Sequence, residues 1–194
     1  MVIKINDKYS FGPPRIFYPY HLTDDDEIKI PFAYAVTDLK LKRVQRDQLQ
    51  SMNVDFNGLL RDEQQIVKKE AIKNLNKQGS VILSMYCGFG KTITSINIAC
   101  SIKLKTLIIV NKIVLMTQWE ESIKRFCPGA TIQKLTPKGK DKNVDFYIIN
   151  AINTEKLGND FFKNIGTVIV DEAHLIMAET ISKSLQTVSP RYLI

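Results

Sequence analysis

Apolar and polar residues alternate in blocks that predict a regular succession of strands and helices after about residue 59. Short runs rich in Val, Ile and Leu are typical of buried parallel strands, and apolar residues at helical spacing predict helices. The first predicted strand begins at residue 81 and ends before the glycines at 88 and 90. Further strands are predicted at 106–110, 130–135, 144–149, 167–171 and 191. The predicted helices are at 60–78, 92–102, 113–126 and 178–188. This alternation predicts parallel β-α-β units, and hence an α/β fold built as a three-layer α/β/α sandwich with a mainly parallel sheet.

Residues 1–58 have a different pattern and predict a small N-terminal appendage of unknown role. Alternating residues at 2–5 and 27–30 predict short strands, and the prolines and aromatics of 12–22 predict extended, irregular chain. We therefore divide the chain into the appendage, residues 1–58, and a larger domain, residues 59–194.

Three clusters in the first 58 residues have two interpretations each. The acidic cluster at 24–27 is interpreted as a solvated turn in preference to a cation site, because it lacks the glycine spacing of a metal loop. The aromatics are interpreted as packing residues in preference to base-stacking ones. The basic residues are interpreted as the exposed side of a short linking helix in preference to a nucleic-acid patch. The aromatics are Tyr18, Tyr20, Phe32 and Tyr34, and the basic residues are Lys40, Lys42, Arg43 and Arg46.

The segment VILSMYCGFGKT, residues 81–92, has the features of a phosphate-binding loop. Backbone N–H groups converge on an oligophosphate only where the chain can approach closely without a Cβ, a need that Gly88 and Gly90 meet. Lys91 would place its ammonium between the β- and γ-phosphates, Thr92 would offer its hydroxyl to Mg²⁺, and the following helix would direct its positive N-terminal end at the anion. The alternative is an ordinary glycine turn with a surface lysine.

A second site is needed to decide, because Met85 stands where the strict G-x-x-x-x-G-K-[ST] pattern has its first glycine. TVIVDEAHLI, residues 167–176, supplies it as an apolar strand that ends directly in two acids. Asp171 would hold the water shell of Mg²⁺, Glu172 would polarise the attacking water, and His174 would relay the nucleotide state. Alone, the two acids could begin a helix; together with the upstream loop they predict a nucleotide-hydrolysing site.

GFGKT and DEAH, at 88–92 and 171–174, resemble motifs I and II of superfamily 2 helicases and translocases. LLRDEQQ at 59–65 resembles the segment before motif I in the branch with the XPB-like, UvsW-like and large-DNA-virus transcript-release helicases. The resemblance implies a RecA-like domain 1 that uses ATP and Mg²⁺, with Gln64 at the adenine edge helped by Arg61. The expected nucleotide-binding residues are Arg61, Gln64, Cys87, Gly88, Phe89, Gly90, Lys91, Thr92 and Ile93. The expected catalytic residues are Lys91, Asp171, Glu172 and His174, and Thr92 and Asp171 would hold Mg²⁺ largely through water.

TLIIVNKIVLMTQWEESIKRF at 106–126 and YIINAINTEK at 147–156 resemble the segments with which these enzymes contact nucleic acid. Polar side chains there would hold a sugar-phosphate backbone without reading its sequence. The candidates are Asn111, Lys112, Asn150 and Thr154. Trp119 lies among apolar residues of a predicted helix, and we predict that it is a core residue and not a stacking platform.

Composition adds limits to this picture. The net charge of +7 makes contact with a polyanion electrostatically easy. Three widely spaced cysteines, Cys87, Cys100 and Cys127, support neither a disulfide framework nor a zinc site. No long apolar run predicts a membrane span or a signal peptide, so we expect an intracellular protein, in host cytoplasm or virion if it is viral.

The expected function is that of the ATP-hydrolysing motor domain of a nucleic-acid helicase, with DNA favoured over RNA as the track and a transcription or replication role. The resemblance also implies a second RecA-like domain after residue 194, so we expect a fragment with weak turnover by itself. The alternatives are a duplex translocase without strand separation, and a non-catalytic nucleic-acid-binding module with a regulatory nucleotide site.

Overall fold

The computed structural model describes residues 3–5, 15–17, 20–22, 28–30, 32–137, 143–172 and 184–194. The acidic cluster at 24–27, Tyr18, the lysines of 138–142, His174 and most of the helix predicted at 178–188 lie outside the described residues; residues 184–186 are helical. The chain forms two compact units, Met1–Leu41 and Lys42–Ile194.

The first unit contains two antiparallel strand pairs and one helix. Strand β1 (Ile3–Ile5) pairs with β2 (Arg15–Phe17), and β3 (His21–Leu22) pairs with β4 (Ile28–Lys29). These pairs confirm the short strands predicted near 2–5 and 27–30. Helix α1 (Phe32–Thr37) was not predicted, because six residues are too few to establish a helical period.

The second unit is built on a parallel sheet in the order β6-β7-β5-β8-β9. Its strands are β5 (Thr106–Val110), β6 (Ile132–Lys134), β7 (Phe146–Asn150), β8 (Thr167–Val170) and β9 (Tyr192–Leu193). Its helices are α2 (Asp62–Gln78), α3 (Lys91–Ile102), α4 (Ile113–Phe126), α5 (Thr154–Leu157) and α6 (Asn159–Phe162). The predicted α/β fold is confirmed. None of the described helices is long and apolar enough to cross a membrane.

Alternate residues of each central strand enter two different cores, which gives the three layers. In β5, Ile108 and Val110 pack with Ile96, Trp119 and Ile123 from α3 and α4. Leu107 and Ile109 face the other way and pack with residues such as Phe162 at the end of α6 and Val188. Because both faces are covered, the strands are apolar throughout, as their sequence pattern predicted.

The strand predicted from residue 81 is wrong as a buried strand. Ser80 forms a parallel bridge with Leu193 and the N–H of Val81 donates to the Leu193 carbonyl, but residues 82–86 are not in a strand. Val81 and Leu83 pack against the core, whereas the side chain of Ile82 is 81% exposed. Within the described residues, the apolar run therefore has backbone partners only at its first positions.

Residues 42–58, which we call the strap, belong to the larger unit and pack against the rest of it instead of forming the predicted linking helix. Their one helical stretch is the single 3₁₀ turn Arg46–Gln48. Arg43 donates to the carbonyls of Leu75 and Asn76 at the end of α2, both at 2.9 Å, and Arg46 donates to the Ile102 carbonyl that ends α3. Leu49, Met52 and Val54 are buried in the core. Cationic side chains at helix C-termini stabilise the terminal carbonyls, so these two arginines have a structural use. The compact unit thus begins at Lys42, whereas the sequence-based division after residue 58 stays a prediction.

The three cysteines occupy two contrasting environments. Cys87 is exposed. Cys100 at the end of α3 and Cys127 after α4 are buried, with their sulfurs 3.5 Å apart. The hydrogen bond with Cys127, together with burial, raises the pKa of the Cys100 thiol, and the two buried side chains pack as small apolar residues.

Candidate nucleotide-binding site

The loop before α3 has the backbone conformation that its glycines predicted. A turn joins the Phe89 N–H to the Tyr86 carbonyl at 3.1 Å, and Gly88 and Gly90 have φ of +75° and +94°. Gly90 is the residue directly before α3, so the free N–H groups of the first helical turn face the loop. Unpaired N–H groups at a helix N-terminus are suited to an anion.

Lys91 closes the loop across its opening. Its Nζ donates to the carbonyl of Met85 at 3.1 Å, which is the position where the strict pattern has its first glycine. The ammonium is therefore held over the loop by one neutral acceptor. A phosphate oxygen would be a stronger, charged acceptor for the same group.

Gly90 is also required by packing. A Cβ at this position would lie 2.5 Å from Nε2 of Gln64 and 2.9 Å from Cγ2 of Ile93. A Cβ on Gly88 would meet nothing within 4 Å. Backbone conformation therefore explains glycine at both positions, and close packing is an additional reason at Gly90.

Gln64 and Arg61 join the start of α2 to this loop. The buried Gln64 side chain accepts a hydrogen bond from the Arg61 N–H at 2.9 Å and donates to the Phe89 carbonyl at 2.7 Å. Arg61 donates to the same carbonyl at 2.7 Å, with its guanidinium 5.6 Å from the centre of the Phe89 ring. The structure thus brings together the two sequence segments assigned to one site. The role of Gln64 at the adenine edge stays a prediction.

Asp171 directly follows β8 and continues its ladder, since its N–H donates to the Ile109 carbonyl at 3.0 Å. Its carboxylate accepts hydrogen bonds on both oxygens, from the Glu172 N–H at 3.0 Å and from the Trp119 indole at 2.8 Å. Glu172 is exposed and has a φ of +59°, an uncommon conformation for a residue other than glycine. Trp119 is 3% exposed, as expected of a core residue, but sequence reasoning missed its hydrogen bond.

The available donors fit Mg²⁺ and a nucleotide. Thr92 offers a hydroxyl in the first turn of α3, and Asp171 offers a carboxylate at the end of β8. Both are hard oxygen donors, and Mg²⁺ in phosphate sites uses one or two such protein groups beside water and phosphate. The strand order reverses at β5, whose neighbours are β7 and β8, and ligands of open α/β sheets bind beyond the carboxyl ends of strands at such a reversal.

The predicted nucleic-acid residues lie at or after the carboxyl ends of β5 and β7, on the same edge of the sheet. Val110 and Asn150 are register partners, so the two segments leave the sheet side by side. Lys112 is exposed, and Asn111 has a buried Oδ1 without a hydrogen-bond partner among the described residues. Asn150 accepts a hydrogen bond from the Ile152 N–H and is buried, and Thr154 is completely buried. A contact of these four residues with nucleic acid stays a prediction.

Comparison with known proteins identifies relatives of this chain. The family model described as type III restriction enzyme, res subunit, matches residues 57–194. Protein 161L of Invertebrate iridescent virus 6, named as a helicase, is 47% identical over 172 residues, which cover 85% of this chain and 39% of the relative. Protein 109L of Invertebrate iridescent virus 3, also named as a helicase, is 42% identical over 207 residues, which cover 97% of this chain and 63% of the relative. The chain therefore spans less than two thirds of either relative.

Two solved structures share the fold. The UvsW helicase from bacteriophage T4 superposes with a TM-score of 0.62 at 15% identity, over 92% of this chain and 73% of that one. The SWI2/SNF2 ATPase core of Sulfolobus solfataricus in complex with double-stranded DNA superposes with a TM-score of 0.62 at 20% identity, over 76% of this chain and 33% of that one. The family match and the fold agree with the motifs at both ends of the site, and the chain belongs to the superfamily 2 helicase family, of which it contains the N-terminal RecA-like motor domain.

Proposed function

We propose that this domain binds ATP with Mg²⁺ at the loop 85–92 and uses its hydrolysis to move along nucleic acid. The observation that carries the proposal is the loop itself. Gly90 directly precedes α3, Lys91 donates across the loop to the Met85 carbonyl, and Gln64 and Arg61 both donate to the Phe89 carbonyl. A loop supported in this way is ready to receive phosphates without first being ordered.

In this proposal each residue has one role. Lys91 exchanges the Met85 carbonyl for a phosphate oxygen, and the N–H groups at the start of α3 bind the remaining oxygens. Thr92 and Asp171 orient the metal and its water shell, and Glu172 orients the attacking water. Bound Mg²⁺ supplies charge neutralisation at the phosphates. His174 lies outside the described residues, and its role as a relay stays a prediction.

The proposed track is nucleic acid, with DNA favoured. The net charge of +7 favours a polyanionic partner, and the exposed Lys112 follows β5 at the carboxyl edge of the sheet. Translocation on a duplex without strand separation is the alternative function, and duplex DNA therefore belongs in the test beside single strands. Among the relatives, a mimivirus protein is named as an RNA helicase, so RNA belongs in the test.

Nucleotide binding by the 194-residue chain is the first test. Lys91→Ala should weaken Mg-ATP binding by about ten- to a hundredfold, because it removes the one cation of the loop. Glu172→Gln should bind Mg-ATP like the wild type and lower turnover by roughly a hundredfold, because it keeps the side-chain shape and removes the charge that polarises water. Lys69→Ala, at an exposed position of α2, is the matched control.

Turnover should then be compared without nucleic acid and with single-stranded DNA, duplex DNA and RNA. Stimulation by one of them identifies the track. Binding of Mg-ATP that is equal in the wild type and Lys91→Ala would remove the proposed function.

A further inference from the structure

Trp119 connects the middle of α4 to the carboxylate that ends β8. Its Nε1 donates to Oδ2 of Asp171 at 2.8 Å, and the indole is 3% exposed. The two residues are 52 positions apart in sequence. An N–H···carboxylate bond of this length is charge-assisted, and it is stronger in a buried setting than in water.

The bond leaves the carboxylate oriented but not saturated. Oδ1 of Asp171 accepts from the Glu172 N–H at 3.0 Å, while Oδ2 accepts from Trp119. Each carboxylate oxygen has about two acceptor positions, and among the described residues one protein donor reaches each oxygen, which leaves a second position open to water. Meanwhile the backbone of Asp171 is held by the Ile109 carbonyl at 3.0 Å. The side-chain rotamer and the backbone are thus both set before any ligand arrives.

Packing alone does not explain a tryptophan at this position. Met116, Trp119 and Ile123 form one buried stripe of α4, and two of the three are purely apolar. A buried indole N–H needs an acceptor, and an aliphatic or phenyl side chain would fill the stripe without that need. The acceptor of this N–H is Asp171, the side chain at the end of β8 to which the proposed function assigns contact with the Mg²⁺ water shell.

We propose that Trp119 is a positioning residue that orients the Asp171 carboxylate toward the water shell of Mg²⁺. The inference rests on the proposed function and adds to it a residue that contacts neither nucleotide nor metal. Its effect is specific: Trp119 should matter for how much Mg²⁺ the nucleotide complex requires, and not for binding of nucleotide without metal.

The single tryptophan of the chain makes the contact directly observable. In ¹⁵N-labelled protein without nucleotide or metal, the one indole N–H resonance should shift upfield and exchange faster in Asp171→Asn than in the wild type, because the amide is a weaker acceptor than the carboxylate. Identical indole resonances in the two proteins would overturn the contact, and with it the proposal.

The functional arm measures the Mg²⁺ concentration at half-maximal enhancement of ATP binding, beside ATP affinity in EDTA. Trp119→Phe should raise the Mg²⁺ midpoint about five- to tenfold, as expected for loss of one charge-assisted hydrogen bond, with affinity in EDTA within about twofold of the wild type. Biosynthetic replacement of the tryptophan by its benzothiophene analogue, which has sulfur in place of N–H, should give the same shift with the ring volume retained. Ile123→Val, a buried change on the same helix face without a polar contact, should leave the midpoint unchanged.

The outcomes separate the two proposals. A midpoint that is unchanged in Trp119→Phe, or equally raised in Ile123→Val, overturns the positioning role. If ATP binding is still lost in Lys91→Ala, the proposed function stands without the positioning role of Trp119. An absence of Lys91-dependent ATP binding in the wild type removes both.

Discussion

At the scale of single residues, Gly90 is the point where loop shape, helix start and packing meet. It has a left-handed backbone conformation, it precedes α3, and it faces the amide of Gln64. Gly88 shares the left-handed conformation but has open space around it. Comparing the two glycines therefore separates the energetic effect of the left-handed conformation from the effect of close packing.

Gly90→Ala should lower the free energy of unfolding by about 2 to 3 kcal/mol, from the left-handed conformation and from displacing the Gln64 hydrogen bond to Phe89. Gly88→Ala should lower the free energy of unfolding by only about 1 kcal/mol, because the left-handed backbone conformation is the only source of strain there. Urea denaturation of both variants measures the difference. Equal losses would show that Gln64 moves aside freely.

At this scale the sequence identified candidate residues whose proposed roles can be inferred from their immediate neighbours in the chain. Lys91, Thr92 and Asp171 follow a glycine turn or a strand end, and the structure places them in those local settings. The bond between Trp119 and Asp171 was missed because it depends on how α4 packs across β5, and no local pattern reports a contact over 52 positions. The available signal was a lone tryptophan in a stripe of otherwise aliphatic residues.

At the scale of elements, helix α4 is held to the edge strand β6 by an ion-pair network. Glu120 lies 2.6 Å from Lys124 of the same helix and 2.6 Å from Lys134 of β6, and its side chain is 21% exposed. Hydrogen bonds from Lys124 and Lys134 lower the pKa of Glu120. A network that includes an edge strand can contribute more than an isolated surface pair.

Glu120→Gln should lower the free energy of unfolding by about 0.5 to 1 kcal/mol at pH 7. Because the pKa of Glu120 is lowered on folding, its contribution is present above the unfolded pKa of about 4.3 and is lost as the pH falls through the lower folded pKa. Urea denaturation should therefore show a larger difference from the wild type at pH 7 than at pH 3. Glu121→Gln, an exposed neighbour on α4, is the control; a loss that persists at pH 3 would indicate packing and not charge.

Elements with a complete sequence pattern were predicted within one or two residues, and β5, α4 and β8 are examples. The run from residue 81 had the same composition, but within the described residues its backbone pairs only at Ser80 and Val81, both with Leu193 of β9. Apolar composition predicts burial of an element, whereas pairing is decided elsewhere in the chain.

At the scale of the whole molecule, the larger unit depends on a strap that carries no helicase motif. Residues 42–58 add Leu49, Met52 and Val54 to the core. Backbone hydrogen bonds join Gln50 to Asn164 and to Lys105, and Met52 to Lys103. The stretch contains none of the motifs on which the predicted division rests, so it was placed in the appendage, and its contribution to the core comes from separate buried residues.

Residues 42–194 should therefore keep one cooperative unfolding transition, whereas residues 59–194 should lose several kcal/mol of stability. The deletion removes three buried side chains from the core, at about 1.5 to 3 kcal/mol each, and takes the arginines away from two helix C-termini. Thermal and urea denaturation of the two fragments measures this. Equal stability of the two would contradict the role of the strap.

The contrast among the cysteines has a practical consequence for chemical labelling. Cys100 and Cys127 are closed off inside the core, whereas Cys87 presents its sulfur at the phosphate loop. A maleimide fluorophore or spin label would therefore attach at one place per molecule, and no cysteine has to be removed beforehand. Under the proposed function the probe would lie at the opening that ATP enters, so protection of Cys87 by ATP against alkylation would measure occupancy of the loop directly and with a simple reagent.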